Sequence, residues 1–555
     1  MSSYKEMVRD ATYQKSVQYL LDASCETWPT PEPILCSRKD GTPHIKQPQN
    51  IGKKIQRIIN DCFKPTSTTS PRERWLGIKV EEGRGMVEDR LGAMLEGELN
   101  DIKREDAVEY GVRDADATLR VYHELWPMIQ ERGLEQTFWI DMGIIPMVLD
   151  MMNTGIGISE GKFEELIKHF IAQKKMYGDK IDGVAGWGVN PGSGPDVAKL
   201  LFDQLGLTSI RKTPTGLDST KDDVLGMLET QHIVVKDIRK YREYEKLRNT
   251  YAEPLSKMAG SDGKIHTSIR ITSTDTGRLS TADPNLMAIP NRTEDGRRLR
   301  KAFIAREGCT FVSADYSQIE LRVLAHESQD PNMLEAFNTG VDIHSATASK
   351  MFELPIAELD SKEHRRPAKT INFGIVYGAG GSKLRGSMLA DGADEKVWTL
   401  EKCEKLISDW LNVVYPGVKT YMNKVYGHAK RHGYVVDMWG RQRLVPGAQA
   451  YNKWVVAKAL RQAGNMPIQS GAQGVIKKAM GELTTPYKDF QSDGFVCDPL
   501  LQIHDDLLFE VSDELIPIWT PIMIGIMEGV VKLDVPTPVD PQVGKSWGGM
   551  SDYGN

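Results

Sequence analysis

Three aspartates and one stripe of four side chains could do chemistry in this 555-residue chain. Asp315 ends the short β-prone run Thr310-Phe-Val-Ser-Ala314 and precedes a stretch of helical periodicity at 317–327. Asp505 and Asp506 fall within residues 495–512, which read as two strands around a tight turn. A carboxylate at a strand end is exposed at the sheet edge, and two such ends can meet although 190 residues separate them. Phosphoryl transfer needs that arrangement: oxygen ligands holding two magnesium ions about 3.5–4 Å apart, one activating a hydroxyl and one steadying pyrophosphate. Magnesium takes few protein carboxylates, so two aspartates suffice. Taken singly, Asp315 reads equally as a helix cap and Asp505 as a hairpin-turn residue.

The stripe gives the aspartates a substrate. Arg365, Lys369, Phe373 and Tyr377 recur every four residues, so in a helix they share one face. A core-facing stripe does not begin with two cations, and a solvated one does not end in two aromatics. A nucleoside triphosphate satisfies both halves, with phosphates on the cations and the base on an aromatic ring. Gly374 and Gly378 cost roughly 1 kcal/mol each relative to Ala, tolerable where template or substrate must come close. An amphipathic helix with snorkelling basic residues is the alternative.

The elements that must position these residues form an α+β chain, an antiparallel sheet interrupted by helical lobes. Helices are expected at 105–125, at 139–153 (closed by Gly155 and Gly157) and at 232–258. Residues 341–430 read as almost wholly helical, and the tail after 514 as one helix and a last short strand. A composition of 40% hydrophobic and 26% charged residues is that of a soluble globular protein. No apolar run of 18 residues and no signal-peptide layout occur, so neither membrane nor export is expected. The six cysteines form no C-x-x-C pair, which argues against zinc and disulfides and fits a reducing cytoplasm. A net charge of −6 argues against a histone-like basic coat. Local basic clusters remain: Arg297, Arg298, Arg300 and Lys301; Arg365, Arg366 and Lys369; Lys477 and Lys478. Each alone reads as a solvated face.

Three segments resemble family A DNA polymerases in type and in order. Asp315-Tyr-Ser-Gln-Ile-Glu320-Leu-Arg322 resembles the first catalytic motif. Arg365-Arg-Pro-Ala-Lys369-Thr-Ile-Asn-Phe373-Gly-Ile-Val-Tyr377-Gly378 resembles the fingers-helix motif, and His504-Asp505-Asp506 the third. Supporting matches include Thr276-Gly-Arg278-Leu-Ser280, Asp342-Ile-His344, Tyr415-Pro-Gly417 and Arg461 through Gln469, so the likeness covers roughly residues 140–555.

The resemblance implies a right-hand polymerase: a palm of antiparallel sheet with helical fingers and thumb, preceded by a partial ribonuclease H-like exonuclease domain. The implied divisions are 1–125 exonuclease-like, 126–264 connecting helix and thumb, 265–335 first palm segment, 336–450 fingers and 451–555 second palm segment. It implies that Asp315, Asp505 and the Tyr316 carbonyl hold two Mg2+, for which Mn2+ can substitute. Arg365 and Lys369 would grip the triphosphate, Phe373 would pack near its sugar and base, and Tyr377 would sit at the templating site. Tyr316 and Gln318 join the dNTP site. Glu320 would block a 2′-hydroxyl, the group that separates NTP from dNTP. His504 would meet the primer end. Arg278, Arg461, Asn465 and Gln469 would touch the minor groove, where purine N3 and pyrimidine O2 recur in every pair. The implied reaction is template-directed addition of dNTPs to a primer 3′-hydroxyl.

Departures narrow the likeness. Asp506 stands where many cellular members have Glu, and Met287-Ala288 where bacterial relatives carry Gln-Asn, removing one set of minor-groove contacts. Tyr110-Gly-Val-Arg-Asp114-Ala-Asp116 resembles the last motif of the family's 3′–5′ exonuclease, but residues 1–104 offer no Asp-x-Glu strand. One carboxylate assembles no two-metal site, so Tyr110 and Asp114 read as an inactive remnant without proofreading. The compact polymerase region favours a phage source, hence a bacterial host cytoplasm. The expected partners are primer-template DNA and dNTPs, with a separate exonuclease fragment or replication proteins, and the chain is expected to act as a monomer. A phage-type RNA polymerase is the competing class; Glu320 and Asn372-Phe373-Gly374 argue against it.

Overall fold

The computed structural model describes residues 34–37, 43–46 and 104–554, apart from 214, 292, 377, 391 and 392; of the first two segments and of 104–114 it describes the backbone alone. Two compact units divide the chain, Met1–Glu135 with Gln449–Asn452, and Gln136–Ala448 with Lys453–Asn555. The first contains an antiparallel ladder, Ile34–Ser37 with Pro43–Lys46, and the helix Arg104–Glu131. That helix passes through residue 125 unbroken, so the boundary set there by sequence falls inside an element. After Gly111 no glycine occurs until Gly133, whose φ of 65° follows the helix end.

In the second unit a five-stranded sheet carries the aspartates. Its strands are β1 (Cys309–Tyr316), β2 (Cys497–Ile503), β3 (Asp506–Ser512), β4 (Val539–Gly544) and β5 (Ser551–Asp552). Their spatial order is β2-β3-β1-β4-β5, all neighbours antiparallel. β1 is central because its apolar run can be covered on both faces. Side chains alternate between those faces. Val312, Ala314, Tyr316, Leu507 and Phe509 join a large core with helices Ile145–Thr154, Lys453–Ser492 and Ile516–Gly529. Phe311 and Leu508 point the other way, into a second core with Phe163, Phe303 and Trp547. Trp519 is fully buried with its ring 5.0 Å from that of Phe509; truncating a ring packed this way costs about 3–5 kcal/mol.

The helical lobes follow the sequence pattern with two changes. The helix expected at 139–153 is two, Glu135–Gly143 and Ile145–Thr154, because Pro146 in the first turn starts a new helix more easily than it continues one. The charged run at 232–258 is continuous, but its middle, Leu247–Ala252, is wound as a π-helix between Ile233–Lys246 and Glu253–Lys257. It packs on helix Glu160–Ala185. Between β1 and β2 lie helices Ile319–Ser328, Ile343–Phe352, Arg366–Val376, Gly381–Ala390, Leu400–Asp409 and Pro416–His432, as the sequence implies. Among the described residues no helix is long and apolar enough to cross a membrane.

Candidate active site

Asp315 is the one exposed residue of β1. The register sets Asp506 of β3 opposite it on one side and Asp540 of β4 on the other. Three carboxylates thus stand in a row across three strands, an arrangement that like-charge repulsion disfavours. Asp505 joins them from the two-residue turn between β2 and β3, where its carbonyl accepts the Tyr316 N–H at 3.1 Å. His504, the other turn residue, has φ 58°, and Gln502 Nε2 donates to its carbonyl. A histidine in the left-handed region costs about 1–2 kcal/mol, which the hairpin sustains where the chemistry is expected.

The cluster titrates accordingly. Asp315 is reached by solvent but ringed by protein; burial first, then Asp506, Asp505 and Asp540, push its pKa up to about 7. Asp505 is pushed up to about 7 by burial and Glu320, against the pull of Arg278. Burial raises Asp506 to about 6, opposed by the Ser313 hydroxyl, which donates to its Oδ1 at 2.8 Å, and by Arg300. Among the described residues no group of three or more His, Cys, Asp or Glu side chains is arranged to hold a metal by itself. A pair of aspartates short of positive charge fits magnesium, which completes its shell with water and substrate oxygens. Asp540 escaped the sequence reading: the last short strand was legible, but not its register against β1.

Around the carboxylates stand the other residues of the first motif. Tyr316 buries its ring and donates its hydroxyl to Met527 O at 2.6 Å, leaving only its backbone for the site. Gln318 turns the chain with φ 54° into helix Ile319–Ser328. Glu320, buried in the first turn of that helix, accepts from Arg278 Nη2 at 2.5 Å. Sequence reasoning gave these two residues separate duties, sugar and minor groove; the fold makes them one ion pair. Arg300, read from sequence only as part of a basic cluster, lies over the Trp547 ring at 4.2 Å and donates to Ile289 O at 2.9 Å. Burial lowers its pKa to about 10, with Asp506 opposing. Burial, then Arg278 and Arg300, lower the pKa of His504.

The helix expected to bind a triphosphate starts as a π-helix, Ser361–Arg365, and continues as Arg366–Val376. Arg365 forks onto Asp342, with Nε to Oδ2 at 2.9 Å and Nη2 to Oδ1 at 3.2 Å, while Asp342 also caps helix Ile343–Phe352 through Ser345 N. Lys369 is exposed. Behind them Asn372 is buried: its Nδ2 donates to His344 Nδ1 at 3.0 Å and its Oδ1 accepts from Trp410 Nε1 at 2.7 Å. Thr347 bridges this amide to the Tyr415 hydroxyl at 2.8 Å. His344 packs on Phe373, ring centroids 5.5 Å apart, and burial lowers its pKa to about 4. The sequence marked His344 and Tyr415 without a role; here His344 packs on the ring of Phe373, and Tyr415 closes the buried network through Thr347 and packs on Trp410.

Arg461, Asn465 and Gln469 share one face of the 40-residue helix Lys453–Ser492. Their exposure falls along the face, Arg461 open, Asn465 half-buried and Gln469 buried. Asn465 Oδ1 and, one turn beyond Gln469, Gln473 Nε2 are buried without a hydrogen-bond partner. Tyr377 lies outside the described residues, as do the side chains of Tyr110 and Asp114.

The model of DNA polymerase family A matches residues 160–549. Similar proteins include DNA polymerase I of Treponema pallidum (strain Nichols), 36% identical over 80% of this chain and 43% of that one. DNA polymerase I of Bacillus subtilis (strain 168) is 38% identical over 74% of this chain and 45% of its own length. The thermostable DNA polymerase I of Thermus aquaticus is 36% identical over 77% and 50%. The chain spans about half the length of the curated relatives it matches, 43–50% of these three. Among solved structures, the POL domain of Pol1 from M. smegmatis, in complex with DNA primer-template and dNTP, aligns with a TM-score of 0.73 and 33% identity over 80% of this chain and 76% of that one.

Proposed function

The chain belongs to DNA polymerase family A and has its right-hand fold, and on that premise we propose that it adds dNTPs to a primer 3′-hydroxyl under the direction of a DNA template. The observation that carries the reading is the convergence of Asp315 and Asp505 beside the buried Glu320. Asp315 and Asp505 would hold two magnesium ions, or manganese in their place. When bound there, the metal supplies positive charge for the attacking hydroxyl and the departing pyrophosphate. The chain's own residues do the rest by position and charge. Lys369, and Arg365 once it leaves Asp342, would take the phosphate oxygens. Phe373, braced by His344, would carry the sugar and base. Glu320, fixed by Arg278, would occupy the space a 2′-hydroxyl needs. Asp506 leans on Ser313, so it acts at the edge of the site. Action as a monomer and a part in phage genome replication belong to the same reading, the latter resting on the compact polymerase region.

The test is primer extension by the full chain with dNTPs or NTPs. Extension with dNTPs that Asp315→Asn and Asp505→Asn each abolish supports the reading; equal use of NTPs by the unaltered chain would move it to the RNA polymerase class. Glu320→Ala should raise NTP use while leaving dNTP addition measurable.

A further inference from the structure

The sequence reads Lys477 and Lys478 as one solvated face; the fold separates them. Lys478 is half-buried and donates to Val530 O at 3.2 Å. The Lys477 side chain is 0% exposed, with its Nζ 2.7 Å from Asp141 Oδ1. The same carboxylate receives Arg441, whose Nη2 reaches both oxygens at 2.7 Å. One aspartate thus gathers two cations from 300 and 336 positions away. Such a triad adds little to stability, because withdrawing its charges from water costs about as much as their pairing returns. What it fixes is the direction of a planar guanidinium.

The backbone of Arg441 is held as well. It lies in the turn of the hairpin Tyr434–Val436 with Gln442–Leu444. Its N–H donates to Asp437 Oδ1 at 2.8 Å, and Asp437 Oδ2 accepts from Ser470 Oγ at 2.5 Å. Trp439 Nε1 donates to Gly471 O at 2.8 Å, which seats the turn on the long helix Lys453–Ser492.

Arg441 also meets the turn that carries Arg278. A Cβ on Gly277, which has φ 71°, would lie 2.8 Å from Arg441 Nε and 2.9 Å from its Cζ, so the guanidinium takes the place a side chain would need. Two residues on, Arg443 Nη2 donates to Asp275 Oδ2 at 2.6 Å. The hairpin therefore holds this turn at two points. Inside the turn, Thr274 Oγ1 donates to Arg278 O at 2.8 Å. Arg278 is a long side chain whose aim follows the backbone it starts from, and its Nη2 ends on Glu320 Oε1 at 2.5 Å. Contacts run without a gap from Lys477 and Asp141 through Arg441 and Gly277 to Arg278 and Glu320.

We propose that Arg441 is a positioning residue for sugar selection: held by Asp141 and Lys477, it backs the turn at Gly277 and so fixes the Arg278–Glu320 pair where a 2′-hydroxyl would lie. The proposal rests on the reading of Glu320 given above. It gives a buried triad, which the site residues do not include, a share of the preference for dNTP over NTP.

The test is single-nucleotide addition by the full chain on a primer-template whose next template base is T, with dATP or ATP, read as the ratio of the two kcat/KM values. Arg441→Met leaves Asp141 paired with Lys477, so no buried charge is stranded. It should lower the ratio about tenfold, mainly through a smaller KM for ATP, while addition of dATP stays measurable. Arg441→Lys returns a cation to Asp141 but no planar group beneath Gly277, so it should restore any lost Tm and leave the ratio low. In a Glu320→Ala background, Arg441→Met should change the ratio no further, because coupled residues are not additive. A merely structural role would depress dATP and ATP addition alike, and that result overturns the proposal. An effect of Arg441→Met on the ratio that is as large without Glu320 as with it overturns the proposal too. If Glu320→Ala alone leaves the ratio unchanged, the reading of Glu320 falls and the proposal falls with it. If Glu320→Ala relaxes the ratio and neither Arg441 variant does, only the proposal falls.

Discussion

In the palm, Asp506, Asp315 and Asp540 stand side by side on three strands, and among the described residues no lysine or arginine is hydrogen-bonded to them. In the fingers, Asn372 meets His344, Thr347 and Trp410, and Arg365 is already held by Asp342. One region keeps charge unneutralised; the other satisfies its polar groups from within. The difference separates a place that must take positive charge from outside from a place that must keep its shape while substrate comes and goes. It also gives the two regions opposite responses to pH. The palm aspartates have native pKa values above the unfolded 3.8, so their contribution is favourable only below about pH 4 and is lost as pH rises toward 7. His344 has a native pKa below its unfolded 6.5, so its contribution is present above pH 6.5 and lost as pH falls toward 4.

The largest effect should come from removing a palm charge. Asp315→Asn should lower primer extension by about a thousandfold or more. In the presence of a chelator at pH 8 the same change should raise the Tm, because repulsion across the row is relieved. A variant that stays active, or melts lower than the parent without metal, would erase the distinction between the regions.

In the fingers the sign reverses. Asn372→Leu should cost about 2–4 kcal/mol in denaturant unfolding, since His344 Nδ1 and Trp410 Nε1 are left as unmet buried groups while Thr347 keeps Ile343 O and the Tyr415 hydroxyl. A neutral result would mean the network is dispensable packing.

A third measurement sharpens the pH contrast. Stability of the parent relative to His344→Asn should shrink between pH 6.5 and 4, by at most about 3 kcal/mol. A pH-independent difference would show that His344 is not held neutral.

The smallest effect concerns the contact that restrains Arg365. Asp342→Ser keeps a helix cap and removes the carboxylate. The KM for dNTP should fall, by no more than about fivefold, because a partly exposed ion pair contributes about 1 kcal/mol or less. A higher KM would mean that Asp342 aims Arg365 at the triphosphate and does not compete with it.

What the sequence determined by itself was local. The apolar run ending at Asp315, the turn at His504-Asp505 and the four-residue spacing from Arg365 to Phe373 are read from neighbouring residues, and the structure keeps all three. These patterns also sufficed for the α+β class, since they follow from side-chain periodicity within single elements. Pro146 also marks locally the division of 139–153 into two helices at Ile144, since a proline in the first turn starts a helix more easily than it continues one. Only the tertiary structure decided which distant residues share a neighbourhood. Asp540 faces Asp315 because β4 pairs with β1 in one particular register, and a one-residue slip would have turned it to the other face. Arg278 reaches Glu320 across 42 positions, and Asp342 rather than a phosphate holds Arg365. No pattern within a segment encodes such meetings, because they depend on how whole elements pack. The aspartates were named by the chain; their crowding, and with it their shifted ionisation, arises only from folding.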